Sequence, residues 1–125
     1  MCTMWYTVPM EFGKYLRSER ERLLASDPRF SVRQLAQRVG VEPAYLSKVE
    51  RGVTAPPSEA TIRALAHELD QDPDMLLALA GKVSAELQAI IRKRPELFAE
   101  LLRSLKDLPD HAILRVVREV RDGDW

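Results

Sequence analysis

A chain of 125 residues, 46% of them apolar and only five glycine, has room for one ordinary domain or for a small domain with a helical extension, and its helix-forming composition argues against a sheet protein. The lone Cys2 makes neither an internal disulfide nor a metal site, and no secretory signal or run of roughly 18 apolar residues is present, so a cytoplasmic chain without a membrane span is expected. Basic and acidic residues balance at 19 each, but residues 12–56 carry nine basic against five acidic, a net of +4, so attraction for a polyanion must come from that segment.

The first amphipathic helix is expected from Phe12 to Leu24, with apolar positions 12, 15, 16, 23 and 24 among charges. Ala25, Ser26, Asp27 and Pro28 end it. Ser31, with Gln34 three residues on, has the capping-box spacing and opens a second helix whose buried stripe is Val32, Leu35, Ala36 and Val39. Gly40 stops this helix. Glu42 and Pro43 supply the cap and first turn of a third, running through Tyr45, Leu46 and Val49 to Gly52.

Pro56 and Pro57 mark a loop, and Ser58 caps a fourth helix with Ile62, Leu65, Ala66 and Leu69 on one face. Asp72 and Pro73 start a fifth, Met75 to Ala80, which Gly81 terminates. Three further amphipathic helices follow, at Ser84–Lys93, Pro95–Leu108 and His111–Val120, broken at Pro95 and Pro109. The eight prolines are expected mostly at helix starts and in loops. No internal repeat or low-complexity run is evident.

The second and third helices are each too short to form a domain, but a tight glycine-containing turn joins them, and the second of such a pair can protrude from a bundle into a groove about 12 Å wide. The run Ser31-Val-Arg-Gln-Leu35-Ala36-Gln-Arg-Val39-Gly40-Val41, followed by Ala44-Tyr45-Leu46-Ser47-Lys48-Val49-Glu50-Arg51-Gly52, resembles the Cro/CI-type, or XRE, helix-turn-helix regulators. The likeness covers roughly Phe12 to Ala80. It implies an all-α fold: a five-helix lambda-repressor-like DNA-binding domain, here followed by a C-terminal extension of about three helices.

That division places an N-terminal arm at 1–10, the helix-turn-helix domain at 11–81 and a dimerisation or partner-binding region at 82–125. Ala36 is expected where the two helices cross closely, and Gly40 at the positive backbone angle of the turn. Leu35, Val41, Leu46 and Val49 belong to the core. Arg20 and Glu50 occupy positions that the resemblance implies form a partly buried ion pair; two solvated charges are the alternative.

The resemblance assigns base reading to outward side chains at the front of the third helix: Pro43, Ala44, Ser47 and Lys48, with Tyr45 beside them. Lys48 suits guanine O6 or N7, Ser47 a base edge or phosphate, and Ala44 a thymine methyl. Pro43 and Ala44 replace the amide or charged residues of relatives, which shifts weight to Tyr45, Lys48 or DNA shape. Amides at Ser31 and Val32 face phosphate at a helix start, and Arg33, Arg51 and Thr54 are candidates to grip the same backbone. The link from Leu24 to Phe30 exceeds that of compact relatives; its Arg29 either reaches a phosphate or belongs to a harmless insertion.

The last 44 residues, 82–125, carry more apolar side chains than they can bury alone, so they pack on the first domain or on a second copy, with Trp5 and Trp125 at the chain ends either sealing such an interface or loose. Two functions follow. The first is a sequence-specific regulator of transcription, a repressor binding a palindromic operator in double-stranded DNA as a homodimer. The second is an antitoxin-like or peptidase-controlled protein whose C-terminal helices bind a protein partner while it represses its own operon. An enzyme is not expected: His67 and His111 lack metal-ligand spacing, no glycine-rich phosphate loop follows a strand, and Asp70, Asp72 and Asp74 read as helix caps. No metal or cofactor is expected.

Overall fold

The computed structural model describes the backbone of residues 3–125 and the side chains from Val8 onward, which leaves Cys2 and the side chain of Trp5 outside the described residues. The regular structure among those residues is all helical, with no strand: α1 (Thr3–Leu24), α2 (Val32–Val39), α3 (Pro43–Arg51), α4 (Glu59–Leu69), α5 (Pro73–Leu79), α6 (Ala85–Lys93), α7 (Pro95–Leu105) and α8 (Asp110–Asp122), with one 3-10 turn at Pro28–Phe30. The chain divides into two compact units, one ending at Ser84 and the other spanning Ala85–Trp125.

In the first unit, helix boundaries follow local chemistry. The Ser31 hydroxyl accepts from the Gln34 amide at 3.2 Å, the Ser58 hydroxyl from Thr61 at 3.4 Å and the Asp72 carboxylate from Asp74 at 3.0 Å, each satisfying an amide that the helix start leaves free. Pro43 and Pro73 occupy first-turn positions, where a missing amide costs nothing. Gly40 ends α2 in the left-handed region at φ 79°, and the Val41 amide closes the turn on Ala36 O at 3.0 Å.

Two expectations change, and the link after α1 gains a defined form. α1 begins at Thr3, nine positions before Phe12, and runs through Pro9, so Thr3–Met10 continue the helix instead of forming an arm; Pro9 is also the proline that falls inside a helix. The capping box at Ser31 is only half formed, because the Ser31 amide already donates to Pro28 O at 3.3 Å. The link from Ala25 to Phe30 is ordered: it folds into the 3-10 turn, capped by Asp27.

α1–α5 enclose the core. Phe12, Leu16, Leu35, Ala36, Ile62, Leu65, Ala66, Leu69, Leu76 and Leu77 are fully buried, Leu46 and Val49 nearly so, and Val41 packs half-buried against them. Burying each large side chain contributes about 1.5–3 kcal/mol, so this core holds the short α2–α3 pair, which has too few turns to be stable alone.

The second unit contrasts with it. No residue of α6, α7 or α8 is buried, and Leu97, Leu101, Leu102, Leu114, Val117 and Val120 are exposed. The three helices start and stop near the expected prolines, at Pro95 and Pro109.

Candidate nucleic-acid interface

α3 is amphipathic in a way that leaves one face available. Leu46 and Val49 point into the core and Glu50 is buried beside them, while Pro43, Ala44 and Lys48 are exposed and Ser47 is half-exposed. Lys48 has no side-chain partner among the described residues. Tyr45 sits at the edge of this face, half-buried against the core, so its ring is partly committed to packing. The Arg51 guanidinium folds back along its own helix and donates to Ser47 O at 3.3 Å.

The back of α3 is fastened to α1. Arg20 Nε donates to Glu50 Oε2 at 2.6 Å and Arg20 Nη2 to Oε1 at 2.9 Å, a two-pronged pair with side chains only 7% and 4% exposed. A third donor, Nη1, reaches Phe30 O at 3.1 Å. The pair is thus fully hydrogen-bonded on the carboxylate side, the condition under which a buried ion pair recovers its desolvation cost.

α2 crosses behind α3 with Ala36 fully buried. Its first turn places Ser31 and Val32 half-exposed and Arg33 exposed, with the Ser31 hydroxyl engaged as cap. Thr54 lies half-exposed in the loop after α3. Arg29 pairs with Asp27 at 2.8 Å, an interaction that raises the arginine's pKa and holds the carboxyl below its usual range, chiefly through the side-chain hydrogen bond. Arg38 then locks the 3-10 turn: it donates to Arg29 O at 2.6 Å and Glu68 at 3.1 Å, and lies 5.1 Å from the centre of the Phe30 ring. Arg29 thus lends its backbone carbonyl to Arg38, while its exposed side chain pairs locally with Asp27.

Sequence reading missed a second cluster of cations. Lys14 and Arg17, one turn apart on α1, line an open groove with Met10, Glu11, Glu50 and Arg51, at the carboxy end of α3. Arg17 is paired with Glu21 at 2.9 Å, the hydrogen bond raising the arginine's pKa and lowering that of the carboxyl. Their i, i+3 spacing was visible, but only the α1–α3 packing brings them beside Arg51.

His67 and His111 are exposed and lie in different units, and no group of three potential metal ligands occurs among the described residues. Asp72 caps α5 through its side chain, Asp70 ends α4 in the left-handed region at φ 55°, and Asp74 sits in the first turn of α5. No helix among the described residues is long and apolar enough to cross a membrane.

Five helices that bury a short helix–turn–helix pair and leave the outer face of its second helix clear define the helix-turn-helix class of DNA-binding folds. The chain belongs to the XRE-like helix-turn-helix family: the family described as "Helix-turn-helix domain" matches residues 11–79, more than half the chain. Among curated proteins it is similar to the uncharacterized HTH-type transcriptional regulator Rv0474 of Mycobacterium tuberculosis, at 38% identity over 69 residues, covering 55% of this chain and 45% of the relative. It is also similar to the uncharacterized HTH-type transcriptional regulator RghRB of Bacillus subtilis, at 36% identity over 74 residues, 59% of this chain and 50% of the relative. The chain thus spans about half the length of the curated relatives it matches. No solved structure matches it significantly.

Proposed function

We propose that this chain is a sequence-specific regulator of transcription, acting as a repressor that binds a palindromic operator as a homodimer. The observation that carries this reading is the exposed face of α3, with Lys48 unpartnered on a helix whose back is held by a buried ion pair. On this reading, Lys48 donates to guanine, Ser47 reads a base edge or phosphate, and Ala44 and Pro43 make apolar contact in the major groove. Tyr45 flanks them. Ser31, Val32, Arg33, Arg51 and Thr54 hold phosphates on either side, and Lys14 and Arg17 extend the basic edge at the end of α3.

The exposed apolar side chains of α7 and α8 support the homodimer. Leu97 and Val120 are 63% and 61% exposed, and Leu101, Leu102, Leu114 and Val117 on the same two helices are exposed as well, more large apolar side chains than a monomeric protein usually leaves in water. The unit carries eight basic and eight acidic residues between Ala85 and Trp125, so two copies meet without net repulsion. A dimer that reads a palindromic operator presents its two α3 helices about one DNA turn, roughly 34 Å, apart. A toxin or peptidase partner on the same helices is the competing reading; sedimentation of the purified chain as a monomer would favour it.

A mobility-shift titration of the chain against the DNA upstream of its own coding region tests the proposal. Binding that is competed poorly by scrambled duplex and weakens steeply with salt is expected. Affinity indifferent to sequence would refute it.

A further inference from the structure

Gly13 lies inside α1, where glycine weakens a helix relative to alanine. Its backbone is not in the left-handed region, which among the described glycines holds only Gly40, Gly52 and Gly81. Neither helix formation nor local backbone geometry therefore calls for glycine here. Its neighbour on α3 does.

A Cβ at Gly13 would stand 2.2 Å from Val49 O and 2.7 Å from Glu50 O, both backbone atoms in the last turn of α3. Three residues earlier on α1, Met10 meets the end of the same helix: a Cβ on Gly52 would lie 2.8 Å from Met10 Cα. Two turns further along α1, at i+7 from Gly13 and so on the same face, Arg20 grips the Glu50 carboxylate. Backbone contact and ion pair thus bear on one turn of α3, residues 49–52.

We propose that Gly13 is a positioning residue for DNA reading: its missing side chain sets how closely the carboxy end of α3 approaches α1, and with Arg20 it fixes the tilt at which Ala44, Ser47 and Lys48 are presented. The proposal rests on α3 being the DNA-reading helix. A methyl at Gly13 cannot be absorbed by a side chain moving aside, because the atoms it meets are backbone. Relief requires a shift of roughly 1 Å at Val49 and Glu50. Ala44 is five residues away, about 7.5 Å at 1.5 Å per residue, so that shift becomes a tilt of roughly 8° if the front of α3 stays packed. With Ala44 as pivot, Ser47 and Lys48 are displaced by roughly 0.6 and 0.8 Å, enough to weaken hydrogen bonds to base edges confined to about 2.7–3.2 Å, whereas flexible phosphate contacts adapt.

The test compares Gly13→Ala with Leu69→Ala, which opens a cavity in the shared core from α4 and leaves the backbone approach of α1 to α3 unobstructed. Both are assayed where circular dichroism shows them folded, against the duplex that the unmodified chain selects from a random-sequence pool and against its scrambled version. Gly13→Ala is expected to lower the specific-to-scrambled affinity ratio about ten-fold or more, with scrambled binding held within about two-fold. Leu69→Ala leaves the ratio unchanged. Amide correlation spectra of the free protein, which need no DNA, should show shifts in Gly13→Ala concentrated in residues 43–52. If Gly13→Ala does not fold, Arg20→Lys, which replaces the two-pronged grip on Glu50 by a single point charge, is measured in the same two ways and is expected to change both. An unmoved α3 spectrum, an unchanged ratio, or an equal loss in Leu69→Ala overturns the positioning role. Failure of the unmodified chain to select any sequence, with α3 shifts present, counts instead against DNA reading by α3.

Discussion

The guanidinium of Arg20 on α1 holds the carboxylate of Glu50 at the end of α3 through two hydrogen bonds of 2.6 and 2.9 Å, inside the protein and 30 residues away in sequence. This pair ties the scaffold to the back of the exposed α3 face, and its energetics are asymmetric. Intact, it is compensated by the Phe30 carbonyl and by its own geometry; broken, it strands a buried charge.

Glu50→Ala is therefore expected to lower unfolding stability by about 3–5 kcal/mol, read by urea denaturation. The apolar double replacement Arg20→Met with Glu50→Leu should recover much of that loss. A double variant no more stable than Glu50→Ala would show that the pair contributes more than charge compensation.

Lys48 and Arg51 lie on one helix but in different settings, the first free and outward, the second folded back on Ser47 O. Lys48→Ala is expected to weaken specific binding by about 1–3 kcal/mol and relax one operator position, whereas Arg51→Ala weakens all sequences alike. Binding measured against a panel of single-base operator variants separates the two, and identical profiles would remove Lys48 from base reading.

The Ser31 hydroxyl caps α2 at the Gln34 amide. Ser31→Ala should cost about 1 kcal/mol of stability, and Ser31→Asp, which keeps an acceptor, should restore it. Thermal melts of the two variants check the cap. Because the capping box is only half formed, Gln34→Ala is expected to change little.

Asp27 titrates below the ordinary carboxylate range because Arg29 donates to it from its side chain and its amide. A carboxyl whose folded pKa is depressed adds stability above its unfolded value, and that contribution disappears as pH falls through the folded value. In so open a pair the stability effect is small, so the measurement is a carboxyl titration by NMR. The midpoint is expected below that of an unstructured aspartate, and Arg29→Ala should move it upward.

Charged residues placed among the exposed apolar side chains of the second unit test the homodimer. Leu101→Glu with Val117→Glu should convert a sedimenting dimer to a monomer and reduce affinity for a palindromic duplex while sparing half-site binding. Dimerisation unaffected by both changes would place the contact elsewhere.

Much of the first unit was legible because its boundaries are set by residues acting on their own backbone: Ser31, Gly40, Pro43, Gly52, Ser58 and Pro73 each stop or start a helix where the pattern indicated. Family membership was legible for the same reason, since its motif joins those residues to a buried stripe. What escaped depends on neighbours distant in sequence. Gly13 reads as a weak spot in a helix until Val49 O is seen against it. Arg38 reads as one more surface cation until it joins Phe30, Arg29 and Glu68. α1 extends upstream through a proline that local rules treat as a break, and Lys14 and Arg17 gain meaning only beside Arg51.

The account depends most on α3 entering the major groove with its outer face on the bases. Methylation interference measures this directly, because dimethyl sulfate modifies guanine N7, an acceptor displayed only in that groove. Methylated guanines within the selected site are expected to block binding, and the Lys48→Ala protein should lose its sensitivity at one of them. Undiminished binding to site DNA methylated at every guanine N7 would contradict the account.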